Sequence, residues 1–259
     1  MSERGYTPRV LALPAIVALA FLVLPLIALV ARVEWSTFLA DVTSPAAVAA
    51  LGLSLGTGLA ATLVCIVLGV PLALLIARSG PRVAALLRAA VTVPLVLPPM
   101  VGGIALLYLF GRSGWLGEWG LSFTTPAVVL AQTFVALPFL VLAVEGAVRA
   151  TGVDYERTAA ALGAGRWTIL WRITLPLAVP GIVAGVVLCF ARAIGEFGAT
   201  ALFAGNRPGV TQTMPLAIYT AFNGAGVTQG TAVALALLLL AAAIIVLLLV
   251  RGWRPGAVR

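Results

Sequence analysis

The chain has no histidine and no lysine, and only two cysteines and eight acidic residues in 259 positions. Each shortage excludes chemistry. Without histidine there is no imidazole for the usual zinc sites, for a histidine-based triad or for the commonest general base. Without lysine there is no Walker A loop, whose Lys must reach the nucleotide phosphates, so an ATP-driven step needs its ATPase on a separate chain. Cys65 and Cys189 lie in different apolar runs, with no neighbour to stabilise a thiolate, and read as small buried hydrophobes. The residues offer no catalytic, cofactor-binding or metal-binding set.

What is present is apolar. Hydrophobic residues make up 62% and charged residues 9% of the chain, whereas soluble domains sit near ~45–50% apolar. All sixteen basic residues are arginines, for a net charge of +8. In a membrane chain this excess reports topology rather than nucleic-acid binding.

A helix crossing ~30 Å of hydrocarbon needs about 20 mostly apolar residues. Six segments qualify: Val10–Ala31, Ala46–Ala77, Ala90–Phe110, Ala127–Ala147, Leu177–Ala201 and Thr228–Val250. The expectation is an all-α polytopic membrane protein with six transmembrane helices, its residues 1–259 forming one transmembrane domain without an internal repeat. The first run is long, lacks a small-x-small cleavage site and is followed at once by Arg32, so it reads as a retained anchor. With both termini cytoplasmic, Arg4, Arg9, Arg78, Arg82, Arg88, Arg149, Arg157, Arg166, Arg172, Arg251, Arg254 and Arg259 lie inside. Only Arg32, Arg112 and Arg207 lie outside, and Arg192 falls within a span. That bias matches the positive-inside rule. Trp35, Trp115, Trp119 and Tyr219 fall in the outer connections, where aromatics suit the interface.

Two spans are unusual. Val93 to Gly103 carries Pro94, Pro98, Pro99, Gly102 and Gly103, so the third span is expected to kink or unwind, with its irregular backbone against protein or water. Gly52 and Gly56 in the second span make a small-xxx-small step suited to close helix packing.

One polar island, Asp154 to Pro176, interrupts the apolar runs within a cytoplasmic loop of about residues 150–176. Asp154 is placed to cap a short helix through Glu156, Arg157, Thr158, Ala159 and Ala160, which Gly163 and Gly165 end. Trp167, Leu170, Trp171 and Ile173 form a second amphipathic stretch, and Pro176 suits the first turn of the fifth span. Periodicity alone fits both a helix lying on the inner leaflet and a compact knob for a partner.

The spacing of Ala159, Gly163 and Ile173-Thr174-Leu175-Pro176 resembles the signature cytoplasmic loop of bacterial ABC-importer permeases. That pattern runs Glu-Ala-Ala, three residues, Gly, nine residues, Ile-x-Leu-Pro. Its Glu falls on Arg157, with Glu156 one residue earlier, and its first Ala falls on Thr158. The resemblance implies a type I importer permease fold in a prokaryotic cytoplasmic membrane, with the knob seated in a cleft of the ATPase. Arg166 and Arg172 would then face the cleft rim.

Arg192 and Glu196 are four residues apart on one helix face and can pair. They can lock packing or, with Gly195, Gly198 and Thr200, line a gate. The stretch Gly195-Glu196-Phe197-Gly198-Ala199-Thr200, followed by Phe203 to Gly209 and Thr213-Met214-Pro215, resembles the molybdate permease branch of the family. It implies two copies of the chain around a shared path, two ATPase subunits below and an extracytoplasmic binding protein that delivers a tetrahedral oxyanion. Molybdate is the implied cargo, with tungstate, sulfate and thiosulfate as alternatives. Thr200, Asn206, Gln212 and Thr213 offer neutral donors near the outer mouth.

Overall fold

A computed structural model describes residues 9–224 and 229–252, without the side chains of 9, 229, 246, 247 and 249–252. Arg4, Arg254, Arg259 and Thr228 lie outside the described residues. The secondary structure is helical: α1 (Ala12–Ala31), α2 (Phe38–Val42), α3 (Pro45–Arg78), α4 (Pro81–Val96), α5 (Pro99–Phe110), α6 (Thr125–Ala150), α7 (Asp154–Ala161), α8 (Arg166–Ile169), α9 (Leu175–Ile194), α10 (Gly198–Phe203), α11 (Met214–Phe222) and α12 (Gln229–Gly252).

Four helical stretches are long and apolar enough to cross a membrane: α1, α3, α6 and the run from Arg166 to Ile194. The pair α4 and α5 passes the same test only when taken together, bent by 110° at its break as a broken span or a re-entrant loop is. Its break falls at Leu97 and Pro98, as the proline cluster led one to expect. The sixth expected segment forms α12, within which Gly230–Ile245 is an apolar helix.

Helix α6 is the centre of the bundle. Its neighbours approach through small residues, the means by which apolar helices gain van der Waals contact where lipid offers no hydrophobic drive. A Cβ on Gly69 of α3 would stand 3.0 Å from Leu137, and one on Gly181 of α9 would stand 2.1 Å from the Ala147 Cβ. Gly102 of α5 meets Phe134 in the same way. Cys65 and Cys189 are both fully buried in the core that these helices share, as small apolar fillers.

Gly52 and Gly56 depart from expectation. A Cβ at either would meet nothing within 4 Å, so they make no close contact in this chain. The tight approach in α3 is two residues on and on another face, at Gly58, where a Cβ would stand 2.6 Å from Ile194. Helix α1 buries none of its residues. In a membrane protein such a surface meets lipid or another chain.

Ionic and polar ties fix the ends of the bundle. Glu145, 3% exposed on α6, accepts from Arg88 of α4 and from Arg149 at 2.8 Å. Arg149 also donates to the Ile76 carbonyl of α3 at 3.0 Å. At the other end, Ser54 of α3 accepts the Met214 backbone N–H at 2.7 Å, which seats the start of α11.

Candidate functional site

Two places in the fold concentrate the residues singled out in the sequence. The first is the polar knob between the fourth and fifth spans. Helix α7 begins at Asp154, but its N-cap is Val153 and no side chain caps it. Asp154 is therefore the first helical residue rather than the cap, and it acts with Glu156 as negative charge on the first turn. The helix ends as the glycine requires. Gly163 adopts φ +88°, its N–H bonds the Ala160 carbonyl at 3.0 Å, and the Ala164 N–H bonds the Ala159 carbonyl at 3.0 Å. This paired closure needs a left-handed residue, which glycine supplies without a Cβ penalty.

After the turn the chain does not make a second separate helix. Gly165 is extended, and α8 runs through one turn of π-helix, Leu170–Thr174, directly into α9. The fifth span thus extends back to Arg166, and Pro176 lies well inside this continuous helix instead of at its start. Proline has no N–H to give, and the wide turn just before it lets the Leu175 N–H reach back to the Leu170 carbonyl. Ile173 and Leu175 belong to this rod.

Helix α7 has two working faces. Tyr155 and Leu162 are exposed, the latter by 84%, beside the small side chains of Thr158 and Ala159. The opposite face carries Glu156, which pairs with Arg78 at the end of α3 and accepts the Thr174 hydroxyl at 2.7 Å. Arg78 also reaches the Gly152 carbonyl. One carboxylate therefore joins the knob, α3 and the π turn. Arg157, Ala160 and Arg166 look into a recess on this inner side, with Glu156 and Arg78.

The second place is an elbow at the end of the fifth span. The fifth span does not continue to Ala201: α9 ends at Ile194, Gly195 to Phe197 form a break, and α10 starts at Gly198. Arg192 and Glu196 pair at 2.7 Å across this break. The other oxygen of Glu196 accepts the Ala199 N–H at 2.8 Å, so the carboxylate also caps α10. Glu196 is 1% exposed, while the Arg192 side chain keeps 26% exposure.

The broken third span packs against this elbow. A Cβ on Gly198 would stand 3.1 Å from Pro99, and one on Gly103 would stand 2.9 Å from the Ala199 backbone. The two irregular regions of the sequence are thus a single contact, with both glycines present because backbone meets backbone. Thr200 is fully buried there, with no hydrogen-bond partner for its hydroxyl among the described residues. Gln132 and Thr213 are likewise buried and unpartnered.

The expected outer donors are arranged differently from the sequence picture. Asn206 and Gln212 both turn onto Thr220, at 2.8 and 3.5 Å, and Thr200 and Thr213 are buried. Sequence reasoning also missed Arg78, Arg88 and Arg149 as partners, having counted them only for topology. Their signal lay in the acid shortage: a chain with twice as many arginines as acids surrounds each buried carboxylate with candidates.

Residues 69–256 match the family described as "Binding-protein-dependent transport system inner membrane component". The chain is 53% identical over 238 residues to the "Molybdenum transport system permease protein ModB" of Mycobacterium tuberculosis, with 89% of each chain covered. It is 41% identical over 199 residues to the protein of the same name in Escherichia coli K12, covering 72% of this chain and 87% of that one. Among solved structures, a bacterial alginate ABC transporter in complex with its pentasaccharide-bound periplasmic protein superposes with a TM-score of 0.73 at 19% identity. That likeness spans 95% of this chain and 93% of the other, and it shows the fold. The all-helical bundle, its fold likeness and its family match together identify the chain as a multi-pass membrane protein of the binding-protein-dependent transport family, an inner membrane component with the ABC importer permease fold.

Proposed function

We propose that this chain is the permease through which molybdate enters the cell, working as a homodimer with two ATPase subunits and an extracytoplasmic binding protein. The observation that carries the cargo is 53% identity to a molybdenum transport permease across nine-tenths of both chains. ATP hydrolysis belongs to the partner, since a chain without lysine has no P-loop Lys.

Docking is through the outer face of α7, where Thr158, Ala159, Leu162 and the Gly163 turn present small or exposed groups to a cleft. Arg172 supplies charge nearby. Both termini face the cytoplasm, on the arginine bias.

The path runs along the Gly195–Thr200 elbow between two copies. A guanidinium within a span avoids lipid, and the partly exposed Arg192 side chain supports a neighbour of protein or water on that face. With its charge balanced by Glu196, Arg192 gives the path polarity without a trap, as a conducting site must release what it binds.

The test is uptake by the full complex reconstituted in vesicles, supplied with its binding protein. ATP-dependent accumulation of molybdate, undiminished by a large excess of sulfate, is the expected result. Uptake that sulfate suppresses at equal concentration would reassign the cargo.

A further inference from the structure

The recess behind the knob has a volume of about 740 Å³ and a mixed lining. Leu74, Ile169 and Leu170 form an apolar wall, and Arg78, Arg157 and Arg166 stand around it. Arg78 is neutralised by Glu156. Arg157 and Arg166 are exposed and enter no ion pair among the described residues. The recess therefore offers two uncommitted guanidinium groups beside a greasy wall. Arg157 sits where the importer pattern carries a glutamate, so this charge is a departure of the present chain.

The depth of the recess is marked by two tryptophans. Trp167 and Trp171, one turn apart, are 73% and 64% exposed, on the helical stretch that supplies Arg166, Ile169 and Leu170. Exposed indoles at the end of a span sit at headgroup level. Basic pockets between helices at the cytoplasmic end of a span suit anionic headgroups, and planar guanidinium groups match phosphate oxygens in pairs.

We infer that this recess binds the phosphate of an anionic phospholipid, with Arg157 and Arg166 on the phosphate and an acyl chain along Leu74, Ile169 and Leu170. The lipid would fill the gap between α7 and the α3 and α8–α9 rods, in contact with the element proposed to receive the ATPase. The site does not depend on which oxyanion is carried.

The experiment is native mass spectrometry of the full chain, purified with its ATPase subunits, after exposure to phosphatidylglycerol, phosphatidylcholine or inorganic phosphate. Wild type should retain phosphatidylglycerol about tenfold better than phosphatidylcholine. Arg157→Gln and Arg166→Gln should each weaken retention about fivefold, given the usual worth of one basic residue at an anionic headgroup. Arg82→Gln, an exposed arginine outside the recess, should leave it unchanged. Three outcomes overturn the proposal. The first is equal retention of phosphatidylcholine, and the second is displacement of the lipid by inorganic phosphate, which makes this a free-anion site. In the third, Arg157→Gln combined with Arg166→Gln sheds ATPase while keeping phosphatidylglycerol, which makes these arginines ATPase contacts.

Discussion

Glu196 is shared between Arg192, 2.7 Å away in the last turn of α9, and the Ala199 N–H that opens α10. The pair therefore holds an elbow closed and does not merely decorate a straight helix. Removing one member of a buried pair costs about 3–5 kcal/mol, and Arg192→Ala, which strands the 1% exposed Glu196 carboxylate, belongs at the high end, whereas Glu196→Ala strands an arginine that keeps 26% exposure. Glu196→Ala also strips the cap from α10, worth about 1 kcal/mol more. Complex yield and ATP-dependent uptake should fall in both single variants, and Arg192→Gln with Glu196→Gln should recover part of both. Additive losses in the double variant would mean the two residues do not act as a unit.

Gly163 stands at φ +88° with open space around its missing Cβ, so a side chain there meets backbone strain and no clash. Gly163→Val should cost at least about 1–2 kcal/mol locally and unravel the closure of α7. Membrane insertion should be normal while ATPase co-purification drops several-fold. ATPase recovered at wild-type yield would count against docking through this turn.

Gly103→Ala places a methyl group 2.9 Å from the Ala199 backbone, which cannot move aside as a side chain can. An overpacking cost of about 1–3 kcal/mol is expected, read as lower thermal stability in detergent. Gly52→Ala is the matched control, with nothing within 4 Å, and should be neutral or gain up to about 1 kcal/mol from helix propensity. Equal effects at both positions would contradict the contact between the third span and the elbow.

Glu156 tests transmission. Its pair with Arg78 is partly exposed, so losing it should cost under about 1 kcal/mol of stability. It nevertheless ties α7 to α3 and to the π turn. Glu156→Ala should leave assembly intact and uncouple the complex, with ATP hydrolysis continuing while uptake falls. Glu156→Gln keeps an acceptor for Thr174 and should lie between. Uptake and hydrolysis falling in proportion would indicate loss of docking rather than of coupling.

Much of this protein is legible in one dimension because the membrane constrains it so strongly. Hydrocarbon demands long apolar helices, so composition and run length located the spans, arginine bias proposed their sidedness, and missing lysine and histidine removed most enzymes. Gly163 was legible for the same local reason: only glycine suits a left-handed helix end. Tertiary structure decided what local rules cannot reach. Pro176 reads as a helix start, yet a π turn carries the helix past it, because the span extends back to Arg166. The sequence reads as one span from Leu177 to Ala201, yet α9 ends at Ile194 and the Glu196 carboxylate reaches forward to cap the next helix. The meeting of Gly103 with Ala199, and of Arg78 with Glu156, joins residues far apart in the chain. Helical periodicity fixes which residues share a face, and only packing fixes which faces meet.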